Sequence, residues 1–497
     1  FKQKTAYEIR LSLVGSEMCI RDRPAPGGAS ATSDLTALSA TAAIDAMRRG
    51  EITAEAYATA LLARAEQWRH LNAFRILDRD AVLTAARAAD QSRASGARPG
   101  LLHGLPLPVK DSVNTVAFAT SNGARALEHV RPKADAAVLG PLLAQGAYVM
   151  GKTNLHELSF GFTSTNPHFG AVRNPYNGDH VPGGSSGGSA AGVAAGIAPL
   201  AIAEDTAGSI RCPAAWCGIS GLRPTYGRYP VGGIMPLAQD KFDQVGAVAR
   251  HVEDLVLFDT VITGDHAPVV PAALQGVRIG VPNQLMTNLT PDVERVTTTA
   301  LARLEDGGAT VLRLDMPEVL QAGPVLGAIV GFEWVPAITR FLEESGAGVT
   351  FETLLAASSE QIQRLPRSVP RDAYETALQA RADLQARIRY RFKEHRLSVL
   401  AYPPLFEGAP KIGDMAPVTW EGRAVPRMNA TTRGTTLAPC CGHPGLVVPA
   451  GRDDAGLPVG LEFDAPAGAD RQLLGLGLAV ERLLGPVPRP TPLATAG

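Results

Sequence analysis

The chain has 497 residues, of which 45% are hydrophobic and 19% are charged. These values are ordinary for a globular protein and exclude a disordered or fibrous chain. Lys and Arg number 47 against 48 Asp and Glu, and no long run of one sign is present, so the sequence predicts no nucleic-acid partner and no membrane partner.

The first 23 residues do not read as part of the domain. They lack the apolar core and small-residue cleavage site of a signal peptide, and they resemble translated sequencing-adapter read-through of the kind seen at the ends of metagenomic reading frames. We therefore expect residues 1–23 to be a non-native leader, residues 24–490 to form a single domain, and residues 491–497 to be a loose tail.

Helices and strands alternate along the rest of the chain. Apolar residues recur at helical spacing within residues 34–91, and a short apolar run over residues 103–111 predicts a buried strand that delivers Lys110 at its tip. Further helices are predicted at 135–147, 189–196 and 471–484, and further strands at 148–152, 199–203, 397–402 and 445–449. This alternation predicts an α/β fold built on a layered sheet.

One segment, residues 291–391, is richer in charge and in helical periodicity than its surroundings. Its clearest amphipathic helix covers residues 375–392. We expect this segment to be a helical, cap-like insertion.

Membrane and cysteine patterns both favour a cytoplasmic protein. Residues 181–203 are long enough to span a membrane but are filled with Gly, Ser and Ala. The five cysteines are few and unevenly spaced, which is typical of reduced thiols. Cys440, Cys441 and His443 are close in sequence, but no second ligand pair accompanies them, so the sequence predicts no metal and no cofactor.

Two glycine-rich turns each carry a serine. One reads Pro182-Gly-Gly-Ser185-Ser-Gly-Gly, and the other reads Glu204-Asp-Thr-Ala-Gly-Ser209. Glycine lets a backbone turn sharply and bring its N–H groups close to a reacting atom, as an oxyanion hole requires. A flexible linker has a similar composition, but linkers do not run directly into an Ala-rich segment and a strand. We interpret both turns as parts of an active site.

A base for these serines has to come from elsewhere, because a serine hydroxyl is a weak nucleophile and neither turn contains a histidine. Lys110 follows an apolar run that would bury it, and burial lowers the pKa of a lysine so that the neutral amine becomes accessible. Taken alone, Lys110 could equally be a surface lysine.

Together, these segments resemble the amidase signature family, whose members carry a Lys, cis-Ser, Ser triad in a Gly/Ser-rich core. The resemblance covers nearly the whole chain after residue 23 and implies a mixed β-sheet core covered by helices on both faces. It implies that Ser209 is the nucleophile, that Ser185 relays the proton and that Lys110 is the base. It also implies an oxyanion hole formed by the backbone N–H groups of Thr206, Ala207, Gly208 and Ser209. The residues that it implies as structural support of the site are Ser186, Asp205 and Arg211.

Within the family, residues 154–166 and 170–175 are most similar to the branch that hydrolyses arylacetamides such as indoleacetamide or mandelamide. Family members often read Thr-Asp-Thr-Gly-Gly-Ser where this chain has Glu204-Asp-Thr-Ala-Gly-Ser209, so the methyl group of Ala207 would narrow the pocket. Candidate apolar pocket residues are Phe162, Met235, Phe332, Trp334 and Tyr402.

The resemblance implies an amidase that acts through an acyl-enzyme on neutral aryl amides, in a monomer or homodimer. Some members of the family from soil metagenomes open carbamates, so urethanase or esterase side activity is a second expectation. Asp205 and Arg211, beside the expected nucleophile, could instead bind a charged substrate. Buried charges next to a turn need partners, however, which favours a role in holding the turn.

Three other interpretations remain open at this stage. Gly183-Gly-Ser185-Ser-Gly187 matches the nucleophile elbow of α/β-hydrolases, which would use His443 as its late histidine. That interpretation leaves Lys110 and Ser209 without a role. The amidase subunit of a tRNA-dependent amidotransferase shares the signature and passes ammonia to a partner. A non-catalytic binding scaffold is disfavoured because all three triad residues are present.

Overall fold

An eleven-stranded sheet organises the protein in this computed structural model, which describes residues 34–491. The leader expected at residues 1–23 lies outside the described residues, as do residues 492–497 of the expected tail. The strands are β1 (Phe74–Leu77), β2 (Pro106–Lys110), β3 (Tyr148–Thr153), β4 (Thr165–Asn166), β5 (Gly170–Ala171), β6 (Leu200–Asp205), β7 (Ser220–Arg223), β8 (Gln244–Ala249), β9 (Arg278–Pro282), β10 (Thr310–Leu314), β11 (Val399–Tyr402), β12 (Val418–Trp420), β13 (Arg423–Val425), β14 (Gly445–Arg452) and β15 (Pro458–Asp464).

Helices fill most of the segments between these strands. They are α1 (Ala40–Arg49), α2 (Ala54–Gln67), α3 (Arg79–Ala94), α4 (Leu139–Ala144), α5 (Gly187–Ala194), α6 (Arg211–Cys217), α7 (Val252–Thr263), α8 (Pro291–Asp306), α9 (Ala322–Ser345), α10 (Phe351–Ala356), α11 (Glu360–Gln363), α12 (Arg371–Glu394), α13 (Arg427–Thr431), α14 (Leu437–Cys441) and α15 (Asp470–Leu484).

The large sheet is mixed and has the order β1-β3-β2-β6-β8-β7-β14-β15-β11-β9-β10. β2 pairs in parallel with β3 and β6, and β9 pairs in parallel with β10 and β11. The strands from β6 to β11 between these groups pair antiparallel. This mixed sheet, with helices packed around it, confirms the α/β fold expected from the sequence.

The Gly, Ser and Ala content of residues 181–203 follows from crowding at the centre of the fold. The stretch contains the first serine turn, the eight-residue helix α5 and most of the strand β6, and both α5 and β6 are buried along their whole length. A Cβ atom at Gly188 would approach the carbonyl oxygens of Ala73 and Asn154 at 2.4 Å, so no larger residue fits there. Small residues let α5 approach its neighbours closely, and this places the first serine turn against the sheet.

Within residues 291–391, the structure distinguishes two parts. Helix α8 packs on β10, β14 and β15, and β10 is the edge strand of the large sheet. The two long helices α9 and α12 pack against each other, with the short helices α10 and α11 between them in sequence. The helical character that suggested a cap therefore belongs mainly to α9 through α12.

Among the described residues, one stretch, Pro317–Ser345, is long and apolar enough by length and composition to cross a membrane, and 33% of its most apolar window is buried. Its apolar character has a local cause, because one side of α9 packs into two hydrophobic clusters. Ile329 belongs to the cluster shared with α12, and Trp334 and Ile338 belong to the cluster shared with α10.

Candidate active site

Lys110 and Glu204 meet because their strands are adjacent and parallel. Val109 of β2 lies opposite Ile202 of β6, and the carboxyl ends of the two strands therefore reach the same edge of the sheet. Lys110 is the last residue of β2, and Glu204 is the penultimate residue of β6. Both side chains are buried at this edge.

The amine of Lys110 connects the first serine turn to β6. Its Nζ atom lies 2.6 Å from Oγ of Ser185 and also donates to Oε1 of Glu204. Burial lowers the pKa of Lys110, while the charge and hydrogen bond of Glu204 act in the opposite direction. The arrangement suits an amine that exchanges a proton with a hydroxyl group.

The turn that carries Ser185 is held from two sides. The peptide bond between Gly184 and Ser185 is cis, as the resemblance implied. The carbonyl oxygen of Ser185 accepts hydrogen bonds from the backbone N–H of His156 and from Oγ of Ser164, both at 3.1 Å. Both contacts hold the carbonyl group of the same residue whose hydroxyl faces Lys110.

Ser209 lies in the second turn, half-buried, at the wall of a cavity. Its carbonyl oxygen accepts a hydrogen bond from the N–H of Ser186 at 3.3 Å, and Oγ of Ser186 donates to the carbonyl of Glu204 at 3.2 Å. Ser186 therefore links the two serine turns.

A buried charge network holds the Ser209 turn in shape. Asp205 accepts hydrogen bonds from Nε and Nη2 of Arg211 and from Nη1 of Arg223, each at 3.1 Å. Arg211 also bonds Glu462 and donates to the carbonyl of Thr435 at 2.6 Å. Although burial alone would raise it, these two guanidinium groups hold the pKa of Asp205 well below its ordinary range. Each of these side chains has at least one partner of opposite charge, and neither Asp205 nor Arg211 lines the cavity.

The backbone N–H groups near Ser209 divide into two sets. The N–H of Gly208, expected in the oxyanion hole, instead donates to Oδ1 of Asp205 at 2.9 Å. The N–H groups of Thr206, Ala207 and Ser209 make no hydrogen bond to any residue in the range 34–491. These three residues line the cavity beside the turn, and their N–H groups are not used within the described fold.

The cavity beside Ser209 has a volume of about 270 Å³ and an apolar wall. None of the described residues that line it is Asp, Glu, Lys, Arg or His. Phe160 and Trp334 meet edge to face with ring centroids 5.1 Å apart, and Nε1 of Trp334 donates to the carbonyl of Pro366 at 2.8 Å. This wall fits an uncharged aromatic group.

A second cavity of about 500 Å³ continues from the first. The residues common to both walls are Ala207, Leu326, Gly327, Met428 and Thr432. Ala207 thus lies where the two cavities meet, beside the serine turn.

The five candidate pocket residues fall into two groups. Phe162 and Trp334 line the cavity beside Ser209. Met235 packs in a hydrophobic cluster, Phe332 stacks on Tyr374 at 4.1 Å, and the hydroxyl of Tyr402 bonds Asp464, so these three lie elsewhere.

Other residues of the site were missed by sequence reasoning. Phe160, Leu326, Val330 and Met428 line the cavity, and Glu204 contacts the amine of Lys110. The apolar spacing of α9 indicates a helix but not its cavity-facing side. Glu204 did have a signal, since it occupies a position where the family often has Thr.

The histidines do not take part in the Lys110 and Ser185 contact. His156 pairs with Oγ1 of Thr163 at 3.2 Å, and burial lowers its pKa to about 4. His443 packs edge to face on Phe392, and burial lowers its pKa to about 4 as well. Within residues 34–491, no group of three or more His, Cys, Asp or Glu side chains is placed to hold a metal ion.

Known proteins with the same arrangement of segments cover almost the whole chain. The family profile described as Amidase matches residues 56–474. A mandelamide hydrolase from Pseudomonas putida is 37% identical over 92% of this chain and 93% of its own, and an indoleacetamide hydrolase from Agrobacterium vitis is 34% identical over 90% and 97%.

Two further relatives bear on the alternatives. One component of the glutamyl-tRNA(Gln) amidotransferase from Roseiflexus castenholzii is 36% identical over 90% of this chain and 96% of its own. The crystal structure of a peptide amidase from Stenotrophomonas maltophilia is 28% identical, covers 92% of this chain and 99% of that chain, and superposes with a TM-score of 0.79.

Proposed function

Because the chain belongs to the amidase signature family and is therefore a hydrolase of carbon–nitrogen bonds other than peptide bonds, we propose that it cleaves neutral aryl amides through an acyl-enzyme on Ser209. The observation that carries this proposal is the 2.6 Å contact between Lys110 and Ser185, two buried side chains, next to an uncharged cavity lined by Ser209. A serine needs a base to attack a carbonyl, and this contact supplies one.

In the proposed reaction, Oγ of Ser209 attacks the amide carbonyl carbon and its proton passes through Ser185 to the neutral amine of Lys110. The carbonyl oxygen becomes an oxyanion, which the N–H groups of Thr206, Ala207 and Ser209 stabilise. The protonated Lys110 returns a proton through Ser185 to the departing nitrogen, and the C–N bond breaks. Water then attacks the acyl-enzyme by the same proton path and releases the acid.

The cavity wall supports the substrate class. An uncharged, aromatic-lined pocket favours apolar groups and disfavours charged acyl groups, because a charge there would lose its hydration without a partner. The mandelamide and indoleacetamide hydrolases among the relatives act on arylacetamides by name, which agrees with this wall.

Carbamates are proposed as a lesser substrate class. They have the same planar carbonyl, but they are less electrophilic than amides, so urethane hydrolysis should be slower. Helix α9 contributes Leu326, Val330 and Trp334 to the cavity wall, and the loop before α12 contributes Val369. This wall supports a cap within residues 291–391 of one catalytic domain spanning residues 24–490. The opening under this cap would limit the size of carbamate that enters.

We further propose a cytoplasmic enzyme that works without a cofactor as a monomer or homodimer.

The experiment that tests the function is hydrolysis of a substrate panel by the purified protein. Matched primary arylacetamides, anilides, aryl esters and aryl carbamates are compared by kcat/KM, with Ser209→Ala as the control for background. We expect the aryl amides to be cleaved fastest. A strong preference for the carbamates would make urethane hydrolysis the primary activity, and hydrolysis of none of them would refute the substrate assignment.

Ammonia transfer in an amidotransferase is the second candidate, since a component of that enzyme is among the relatives. That function needs a partner protein. Free amide hydrolysis by the isolated chain, with no partner retained on purification, would rule it out.

A covalent probe tests the acyl-enzyme step separately. A serine that attacks a carbonyl carbon also attacks a sulfonyl fluoride, so peptide mass spectrometry should find the probe on Ser209. Labelling of Ser185 in its place would reverse the proposed roles of the two serines.

A further inference from the structure

Glu204 is the acidic residue in direct contact with the proposed base. Its Oε1 atom accepts hydrogen bonds from Nζ of Lys110 and from Oγ of Ser159, the latter at 2.7 Å, and Oγ of Ser112 lies 3.5 Å away. The carboxylate is buried, with 2% of the residue exposed. A threonine at this position, as in many family members, would carry no charge.

This contact has two opposing effects on the reaction. It fixes the direction of the Lys110 side chain, so that Nζ also reaches Oγ of Ser185. A buried carboxylate at hydrogen-bond distance also stabilises the ammonium form, whereas the proposed base is the neutral amine. Glu204 therefore orients the Lys110 side chain but makes the neutral form of its amine less accessible.

The other ionisable groups facing this region have partners of their own. The groups are Asp111, His156, Asp205 and Asp243. Asp111 pairs with Arg75, and Asp205 is held between two arginines.

Asp243 accepts from Oγ1 of Thr206 at 2.6 Å and from the N–H groups of Leu237 and Ala238, and burial raises its pKa to about 6. The low pKa of His156 leaves its ring neutral near pH 7. Glu204 alone among these groups, within residues 34–491, hydrogen-bonds Nζ of Lys110.

We propose that Glu204 is a positioning residue that holds the amine of Lys110 against Ser185 and sets the pH above which Lys110 can act as the base. This inference rests on the proposed function, because it assumes that Lys110 takes the proton of the attacking serine.

The proposal predicts different effects from removing the negative charge of Glu204 and from shortening its side chain. Glu204→Gln keeps the shape and a hydrogen-bonding oxygen but removes the negative charge, so the neutral amine becomes accessible at lower pH. The acid limb of kcat/KM should move down by about 1 to 3 pH units. Glu204→Asp keeps the charge on a shorter side chain. The acid limb of its kcat/KM profile should therefore stay near the wild-type position, while the maximal kcat/KM at high pH falls.

The experiment measures the pH dependence of two rates for each variant. One is kcat/KM for an aryl amide, and the other is the second-order rate of sulfonyl fluoride labelling at Ser209, which does not depend on the choice of substrate. Glu481→Gln is the matched control, because Glu481 is a partly buried glutamate on α15 that accepts from the N–H of Val252 outside the site. Circular dichroism verifies that each variant is folded.

The outcomes separate the two proposals. A downward shift of both limbs in Glu204→Gln, with Glu204→Asp and Glu481→Gln at the wild-type position, supports the inference. Superimposed limbs for Glu204→Gln and the wild type, or an upward shift, overturn it. If Glu204→Gln does not fold, Glu204→Thr is tested by the same two rates and the same shift is required. A wild-type protein that hydrolyses no member of the substrate panel and does not react with the probe contradicts the proposed function itself.

Discussion

The Nζ atom of Lys110 and the Oγ atom of Ser185 lie 2.6 Å apart, with both side chains buried. At this distance a proton passes between them without movement of the backbone. In the proposed mechanism this pair takes the proton of Ser209, so the three residues should act as one unit.

We predict that Lys110→Ala and Ser209→Ala each lower kcat/KM on the order of 10³-fold or more, because removing either member stops the same proton transfer. The double variant should be no worse than the poorer single variant. His443→Leu is the control, since the elbow interpretation needs that histidine and the triad does not. A double variant that loses much more activity than either single variant, or an inactive His443→Leu, would contradict the unit.

The pH dependence of turnover should follow the protonation of Lys110. In the proposed mechanism the neutral amine is the base, so activity should exist above the pKa of Lys110 and be lost below it. Burial lowers that pKa, which should extend activity toward neutral pH. We expect kcat/KM to rise with pH, with a midpoint below the ordinary lysine pKa. The measurement is a kcat/KM profile on folded protein at each pH, and a flat profile or one that falls with pH would exclude a neutral lysine base.

Gly327 offers a way to close the pocket without disturbing the core. It lies on α9 in the wall of both cavities, is exposed, and an added Cβ atom would meet no atom within 4 Å. Gly327→Leu should reduce kcat/KM for bulky aryl amides by about 10-fold or more, as expected for a side chain that fills a binding pocket.

The same variant should change kcat/KM for a small primary amide much less. It should also be slightly more stable, because leucine favours a helix over glycine by about 1 kcal/mol. Ala302→Leu on the exposed side of α8 is the control for an added leucine. Equal losses for small and bulky substrates would mean that residue 327 does not face the bound substrate.

Asp205 should matter for folding as well as for the turn. Asp205→Asn leaves Arg211 and Arg223 without their shared carboxylate, and breaking a buried pair in this way costs about 3 to 5 kcal/mol. A lowered pKa means that this contribution is complete above the ordinary aspartate pKa and declines as pH falls toward the lower pKa of the folded protein.

Urea denaturation at several pH values measures this effect. The difference between the wild type and Asp205→Asn should be constant near neutral pH and shrink only below about pH 4. Asp292→Asn, which removes an exposed pair with Arg295, should leave the midpoint unchanged. An unchanged midpoint for Asp205→Asn at neutral pH would mean that the network does not stabilise the fold.

The parts of the site predictable from sequence were those carried by contiguous motifs. The family resemblance is confirmed by the profile match and by the relatives, and the contact between Lys110 and Ser185 agrees with it. Burial alone does not identify Lys110 as the candidate base, because Lys152 on the neighbouring strand β3 is equally buried. The two lysines differ in their partners, since the amine of Lys152 donates to Val113 and Thr120.

The parts that could not be predicted depend on how distant segments pack. Tyr402 was a pocket candidate, yet its hydroxyl bonds Asp464 on a paired strand, and nothing near Tyr402 in the sequence indicates that partner. Gly208 illustrates the same limit at shorter range. Its N–H could serve an oxyanion hole or Asp205, and only the folded turn decides between them.

The reach of Arg211 also has a consequence for synthesis of the protein. It joins the Ser209 turn to Thr435 and to Glu462 on β15, about 250 residues further along the chain. A nascent chain that has not yet produced β15 lacks the Glu462 contact of the turn that carries Ser209, although Asp205 and Arg211 are already present. We therefore expect a chain that ends before β15 to lack full hydrolytic activity even though Lys110, Ser185 and Ser209 are all present.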